Sequence, residues 1–264
     1  MKKPGLSVCI EDLRLTLKNA LVHARRMGFA AVDIRAKDGP ISPAELTRTG
    51  QRHLLRHLAD LGLRLGSLRG PTGGAGYADP AAGESRLDTM RAILNLASAL
   101  RVPVVSTTLG QSREEGTATL NDRAIEALEA LADDADRLGV MVAVETTGME
   151  SRQLGDLLAR INCPGLGACC DSGAMLMQGE DPHRLADTLA GRVRLVRARD
   201  AVAGTESITG HEVALGEGDL DIRTFWAGLR ESGFTGDIVL SRTTGSNPTR
   251  DLLQAKERFE SIQS

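Results

Sequence analysis

A short apolar run rich in β-branched residues is followed by a longer amphipathic stretch, and this alternation repeats from one end of the chain to the other. Few folds accommodate such a pattern. The runs are Leu6–Ile10, Ala30–Ile34, Leu63–Leu68, Val102–Thr107, Val140–Glu145, Gly165–Cys170, Val193–Ala198 and Asp237–Leu240. Between the first two lies Leu13–Met27, where Leu13, Leu17, Ala20, Leu21 and Ala24 recur at helical spacing. Ser42-Pro43 reads as the cap and first residue of a helix ending at Gly62, Asp181-Pro182 opens another, and Asn247 caps Pro248–Ile262. Further helices are predicted at Glu84–Leu100, about Leu120–Leu138, Ser151–Ile161 and Ile222–Ser232. Eight strand–helix units spaced by roughly 30 residues predict an α/β fold, a single (β/α)₈ TIM barrel spanning 1–264. A doubly wound sheet is the competitor. It often carries a glycine-rich phosphate loop after its first strand, where this chain has Glu11-Asp12-Leu13.

Composition narrows the function. With 32 Lys and Arg against 35 Asp and Glu, the charge is nearly balanced and no nucleic-acid field is implied. Aromatic residues make up 2% of the chain, which argues against stacking platforms for single strands and leaves the core to Leu, Val, Ile and Ala. Cys9, Cys163, Cys169 and Cys170 show no paired spacing, so free thiols in a reducing cytoplasm are expected. Glu11, Asp12 and Arg14 interrupt the first apolar run, and no run is long enough to span a bilayer. The expectation is a soluble cytoplasmic protein with no nucleic-acid or membrane partner.

In such a barrel the working groups sit at the C-terminal ends of the strands. Four residues there share an end: Glu145, Asp171, Arg197 and Ser241, after the fifth to eighth runs. They can converge as two acids, one guanidinium and one hydroxyl. Arg35, Arg69, Arg199 and Arg242 lie at or just past strand ends. If several face inward, the mouth suits an anionic ligand held by bidentate contacts, although alternation turns Arg242 away from Ser241. Cys169 shares a face with Asp171 but lies deeper, as barrel core. His211 sits in the long loop 199–219 and reads as a solvated histidine, or as a base that swings over the pocket. The glycine-rich loop Gly70–Gly83, with Tyr77 at its centre, is either a lid or a connection.

Three successive runs give the chain a likeness. Gly167-Ala-Cys-Cys-Asp-Ser-Gly-Ala174, Val196-Arg-Ala-Arg-Asp200 and Leu215-Gly-Glu-Gly-Asp-Leu-Asp221 together resemble the xylose isomerase-like TIM barrels, and Gly28–Asp33 is similar to that family's first repeat. The resemblance implies sugar or sugar-phosphate isomerases and epimerases, with Mn or Mg held by a Glu, an Asp, a His and a second Glu. Carried over, Glu145 and Asp171 match the first two. Arg197 stands in place of the His, Ser241 in place of the second Glu, and Ala174 replaces a further His. Arginine offers donors and no lone pair, so it cannot ligate a cation. The expectation is therefore no metal, or Mn or Mg held weakly by Glu145 and Asp171, with Arg197 salt-bridging both acids. Glu145 is the expected base, and Asp171, Arg197, Arg199, Ser241, Arg35 and Arg69 are the expected ligand contacts. Two functions follow: an isomerase or epimerase of a small, sugar-derived anion, or a non-catalytic sugar-anion-binding protein or accessory subunit. A homo-oligomer is compatible with either.

Overall fold

The computed structural model describes residues 4–74, 76–110, 122–189, 191–204 and 210–263. Its strands are β1 (Gly5–Cys9), β2 (Ala31–Arg35), β3 (Arg64–Arg69), β4 (Val104–Thr107), β5 (Met141–Glu145), β6 (Leu166–Asp171), β7 (Val193–Ala198), β8 (Asp200–Val202), β9 (His211–Val213) and β10 (Asp237–Leu240). Eight of them, β1 to β7 and β10, form a closed barrel in which every neighbouring pair is parallel. Closure runs through β1 and β10, with Gly5 opposite Asp237 and Val8 opposite Leu240. The helices are α1 (Leu17–Arg26), α2 (Arg48–Asp60), α3 (Gly83–Leu100), α4 (Asp122–Leu138), α5 (Ser151–Ile161), α6 (Ser172–Met177), α7 (Leu185–Leu189), α8 (Ile222–Glu231) and α9 (Pro248–Gln263). The predicted (β/α)₈ architecture is the observed one. Among the described residues no helix is long and apolar enough to cross a membrane.

Period-two alternation separates two apolar shells. One packs strands against helices and includes Val8, Ile34, Leu68, Leu128 and Phe259. The other fills the barrel interior with mostly small residues: Cys9, Val104, Ala143, Cys169, Leu195 and Val239. Cys169 is thus core, as its depth on β6 predicted. Two residues further toward the C-terminal end, the same inward faces carry Asp171 and Glu145.

Several boundaries differ from the sequence reading. The predicted helix at Ser42-Pro43 makes only a turn, in which the Ser42 carbonyl accepts from Glu45 and Leu46 N–H. α2 starts at Arg48 instead, where Thr47 Oγ1 accepts from Gly50 N–H at 3.2 Å. The first helix begins at Leu17 rather than Leu13, after a tight 3₁₀ turn at Ile10–Leu13. Asp181-Pro182 also opens a 3₁₀ turn, which leads into the short α7. The predicted start of α4 near Leu120 lies outside the described residues. Neither α6 nor the antiparallel β8–β9 pair was expected.

Candidate functional site

At the end of β7, alternation turns Arg197 into the barrel above Leu195, and its side chain is 4% exposed. Its Nη1 donates to Asp33 Oδ2 at 3.2 Å. Its Nη2 stands 3.7 Å from Glu145 Oε1, beyond hydrogen-bond reach, and has no acceptor among the described residues. Asp33 is fully buried on β2, accepts from Ser67 Oγ at 2.6 Å and faces Arg69 Nη2 at 3.6 Å. Burial alone would raise the Asp33 pKa. The Arg197 and Arg69 guanidinia outweigh that penalty and, with the Ser67 bond, hold it below the usual carboxylate range. Burial likewise opposes the charge on Arg197, but Asp33 and Glu145 keep it protonated.

The neighbouring groups are similarly engaged. Glu145 Oε1 accepts from Ser106 Oγ at 3.0 Å. Arg69 Nη2 reaches Glu11 Oε2 and Cys9 Sγ, both at 2.8 Å, while its buried Nε has no acceptor among the described residues. Burial pushes the Cys9 thiol up, and nearby Arg69 offsets this only in part. Asp171 is gripped on both oxygens by Arg199, at 3.0 and 2.9 Å, and its Oδ1 also caps α6 by accepting from Ala174 N–H at 2.9 Å. Ser241 donates to Asp12 Oδ2 at 2.6 Å. Glu212 on β9 lies between Arg199 at 3.5 Å and Arg242 at 3.7 Å, and Arg242 Nε also reaches Asp251 at 2.9 Å.

The structure corrects the expected pairing. Arg197 does not bridge Glu145 and Asp171; it lies between Asp33 and Glu145, and Arg199 takes Asp171. Gly173 makes this possible, because a Cβ there would stand 2.7 Å from that of Arg199. Nor do the arginines at the strand ends stand free to meet an anionic ligand. Arg69, Arg197, Arg199 and Arg242 are each held by a carboxylate. The Arg35 side chain is 48% exposed and nearest Asp38 at 3.9 Å, because it leaves the barrel rim for solvent. Only its backbone N–H approaches the cluster, donating to Glu11 at 2.8 Å.

Asp33, Glu11, Asp12 and Glu212 were not expected in the site. Asp33 had left a legible signal, a carboxylate inside an apolar strand. Glu212 had not, since it depends on a hairpin that sequence alone did not suggest. On that hairpin Glu212 turns inward, and the adjacent His211 is exposed. The described part of the Gly70–Gly83 loop is pinned: Tyr77 is 2% exposed, with Oη 3.0 Å from Thr107 Oγ1 and its N–H donating to Leu109 O. The Gly216–Asp221 motif has a structural role. Asp200 Oδ2 accepts from Gly216 and Gly218 N–H, and Oδ1 from Ala201 and Leu220 N–H, at 2.7 to 3.1 Å.

Among the described residues, no three His, Cys, Asp or Glu side chains come together as a metal ion would require. The donor set explains why. Asp171 has both oxygens on Arg199, Ser241 spends its proton on Asp12, and a guanidinium stands beside Glu145. These residues do not fit a divalent cation.

A sequence model of the xylose isomerase-like TIM barrel family matches residues 21–262. The 3-oxo-isoapionate decarboxylase of Pectobacterium atrosepticum is 27% identical over 186 residues, 69% of this chain. That match covers 60% of the relative, under two thirds of its length. A xylose isomerase domain protein from Planctomyces limnophilus superposes with a TM-score of 0.83 at 21% identity, over 99% of this chain and 96% of its own. D-allulose 3-epimerase from Methylomonas sp., in complex with D-allulose, gives 0.80 at 16% identity, over 100% and 98%. At these identities the structural likeness concerns the fold alone.

Proposed function

The chain belongs to the xylose isomerase-like TIM barrel family, and on that premise we propose that its barrel mouth is a metal-independent, isomerase-like site for a small sugar-derived ligand. The observation carrying this reading is the Arg197 guanidinium, buried beside Glu145 with Nη2 lacking an acceptor. A buried N–H without a partner costs about 1–3 kcal/mol, which a ligand oxygen would recover. Arg69 Nε is a second such donor in the same cluster.

The chemistry follows from these groups. A ligand carbonyl oxygen accepts from Arg197 Nη2, and Glu145 takes the proton from the adjacent carbon. The developing enediolate charge forms beside a fixed cation, in a site from which water is largely excluded. Glu145 then returns the proton to the neighbouring carbon, while the hydroxyl proton crosses between the two oxygens. One base on one face suffices for isomerisation. Epimerisation needs groups on both faces, and Ser241, already donating to Asp12, is no such base. A neutral ketose or aldose suits the mouth better than the sugar-derived anion expected from the arginines. A phosphate would need guanidinia that the carboxylates already hold.

The second reading is a non-catalytic sugar-binding protein, favoured by the closure of Asp171 under Arg199. NMR of candidate ketoses in D2O with chelator present separates the two. Deuterium entering next to the carbonyl, lost in Glu145→Gln with binding retained, supports the isomerase reading. Saturable binding without exchange supports the second. Exchange that requires added Mn or Mg contradicts the metal-independent reading.

A further inference from the structure

We propose that the opposite, N-terminal end of the barrel is a second ligand site, for a small amphiphile with one anionic head and an apolar tail. A cavity of about 770 Å³ opens there, among the starts of β3, β4, β5, β7 and β10. Its volume falls within the range of small-molecule sites, roughly 300–1,000 Å³. Val104, Met141 and Leu195 line it from the barrel interior, and Leu55, Leu58 and Leu100 from α2 and α3.

Glycines at the base of the barrel admit charged side chains where an apolar layer would otherwise lie. Such barrels are ordinarily filled by layers of bulky branched residues. Here the lowest positions include Gly5, Gly66 and Gly167. A Cβ would stand 2.7 Å from Asp237 Oδ1 at Gly5, 2.5 Å from Asp237 Oδ2 at Gly66 and 2.4 Å from Arg194 Cγ at Gly167. In place of an apolar layer lie the paired Arg64 and Asp237, joined at 2.7 and 2.5 Å, and the stem of Arg194. A Cβ on Gly66 would also lie 3.4 Å from Ser7 Oγ, a buried hydroxyl with no hydrogen-bond partner among the described residues.

Charge around the cavity fixes the sign of the ligand. Arg64, Arg101 and Arg194 line it against one carboxylate, Asp237, which Arg64 occupies on both oxygens. Among the described residues, Arg194 Nη1 donates to the Gly191 and Val193 carbonyls and to no carboxylate. Among the described ion pairs, neither Arg194 nor Arg101 meets a carboxylate. Two uncompensated guanidinia above a leucine-lined hollow select a carboxylate with an apolar tail, the head taking charge-assisted hydrogen bonds at the rim.

Isothermal titration of the full chain with decanoate and with decanol tests this. Decanoate is expected to bind saturably at one per chain and decanol far more weakly. Arg101→Glu changes an exposed side chain and is expected to fold, checked by circular dichroism. It should weaken decanoate roughly tenfold, the worth of about one charge-assisted hydrogen bond. The joint Arg101→Ala and Arg194→Ala variant should lose more. Three results would overturn the proposal: no saturable decanoate binding, binding indifferent to Arg101→Glu, or binding abolished by Arg197→Met at the other end of the barrel. A dimer in light scattering that does not bind decanoate would also overturn it, by assigning the cavity to a second copy of the chain.

Discussion

At the residue scale, the decisive pairing is Asp33 with Arg197. Replacing Asp33 by Asn leaves a buried guanidinium without its closest counter-charge. At pH 7 that should cost about 3–5 kcal/mol, read as a lower urea midpoint with little change in slope. The pH dependence has a definite sign. The Asp33 pKa is lower in the folded chain than unfolded, so its contribution is fully present above about pH 4. It is lost as pH falls through the folded value. The gap between wild type and Asp33→Asn should therefore narrow progressively below about pH 4. A gap that stays constant down to pH 2.5 would show that Asp33 is not the ionised partner. Glu145, Asp171, Arg197 and Ser241 were legible because each ends an apolar run. Which partners they take was not. Asp33 lies 164 residues from Arg197 in sequence, and no local pattern connects such a pair.

At the element scale, the hairpin β8–β9 and the loop after it depend on Asp200, which collects four backbone N–H groups. Asp200→Ala orphans these donors. The expected loss is at least about 2 kcal/mol, or a fall in Tm of roughly 5 °C for a chain of this size. Scanning calorimetry checks it, and an unchanged Tm would contradict the role assigned to the motif. The glycines of that segment have a related reason, since a Cβ at Gly218 would stand 2.4 Å from Asp200 Oδ1. Apolar periodicity made the strands and long helices legible, with boundaries off by a few residues. The helix expected at Ser42-Pro43 shows the limit of local rules. The cap and proline are correctly placed, but the backbone turns once and α2 takes Thr47 as its cap instead. α6 escaped notice because Asp171, read as a site residue, also serves as its N-cap.

At the scale of the whole molecule, the barrel carries charge at both ends and small apolar residues between. The mouth neutralises itself with carboxylates against Arg69, Arg197, Arg199 and Arg242, and the base is crossed by Arg64 and Asp237. The architecture was legible because eight repeats admit few closures. The internal wiring of the mouth was not, because it is set by which inward side chains meet across the barrel. We propose that the Arg197 guanidinium takes the place of the metal that the family resemblance implies. Titration of the chelator-treated full chain with Mn(II), followed by the loss of the free-ion electron paramagnetic resonance signal, tests it most directly. No saturable binding to the wild-type chain is expected. Stoichiometric binding that disappears in both Glu145→Gln and Asp171→Asn would contradict it.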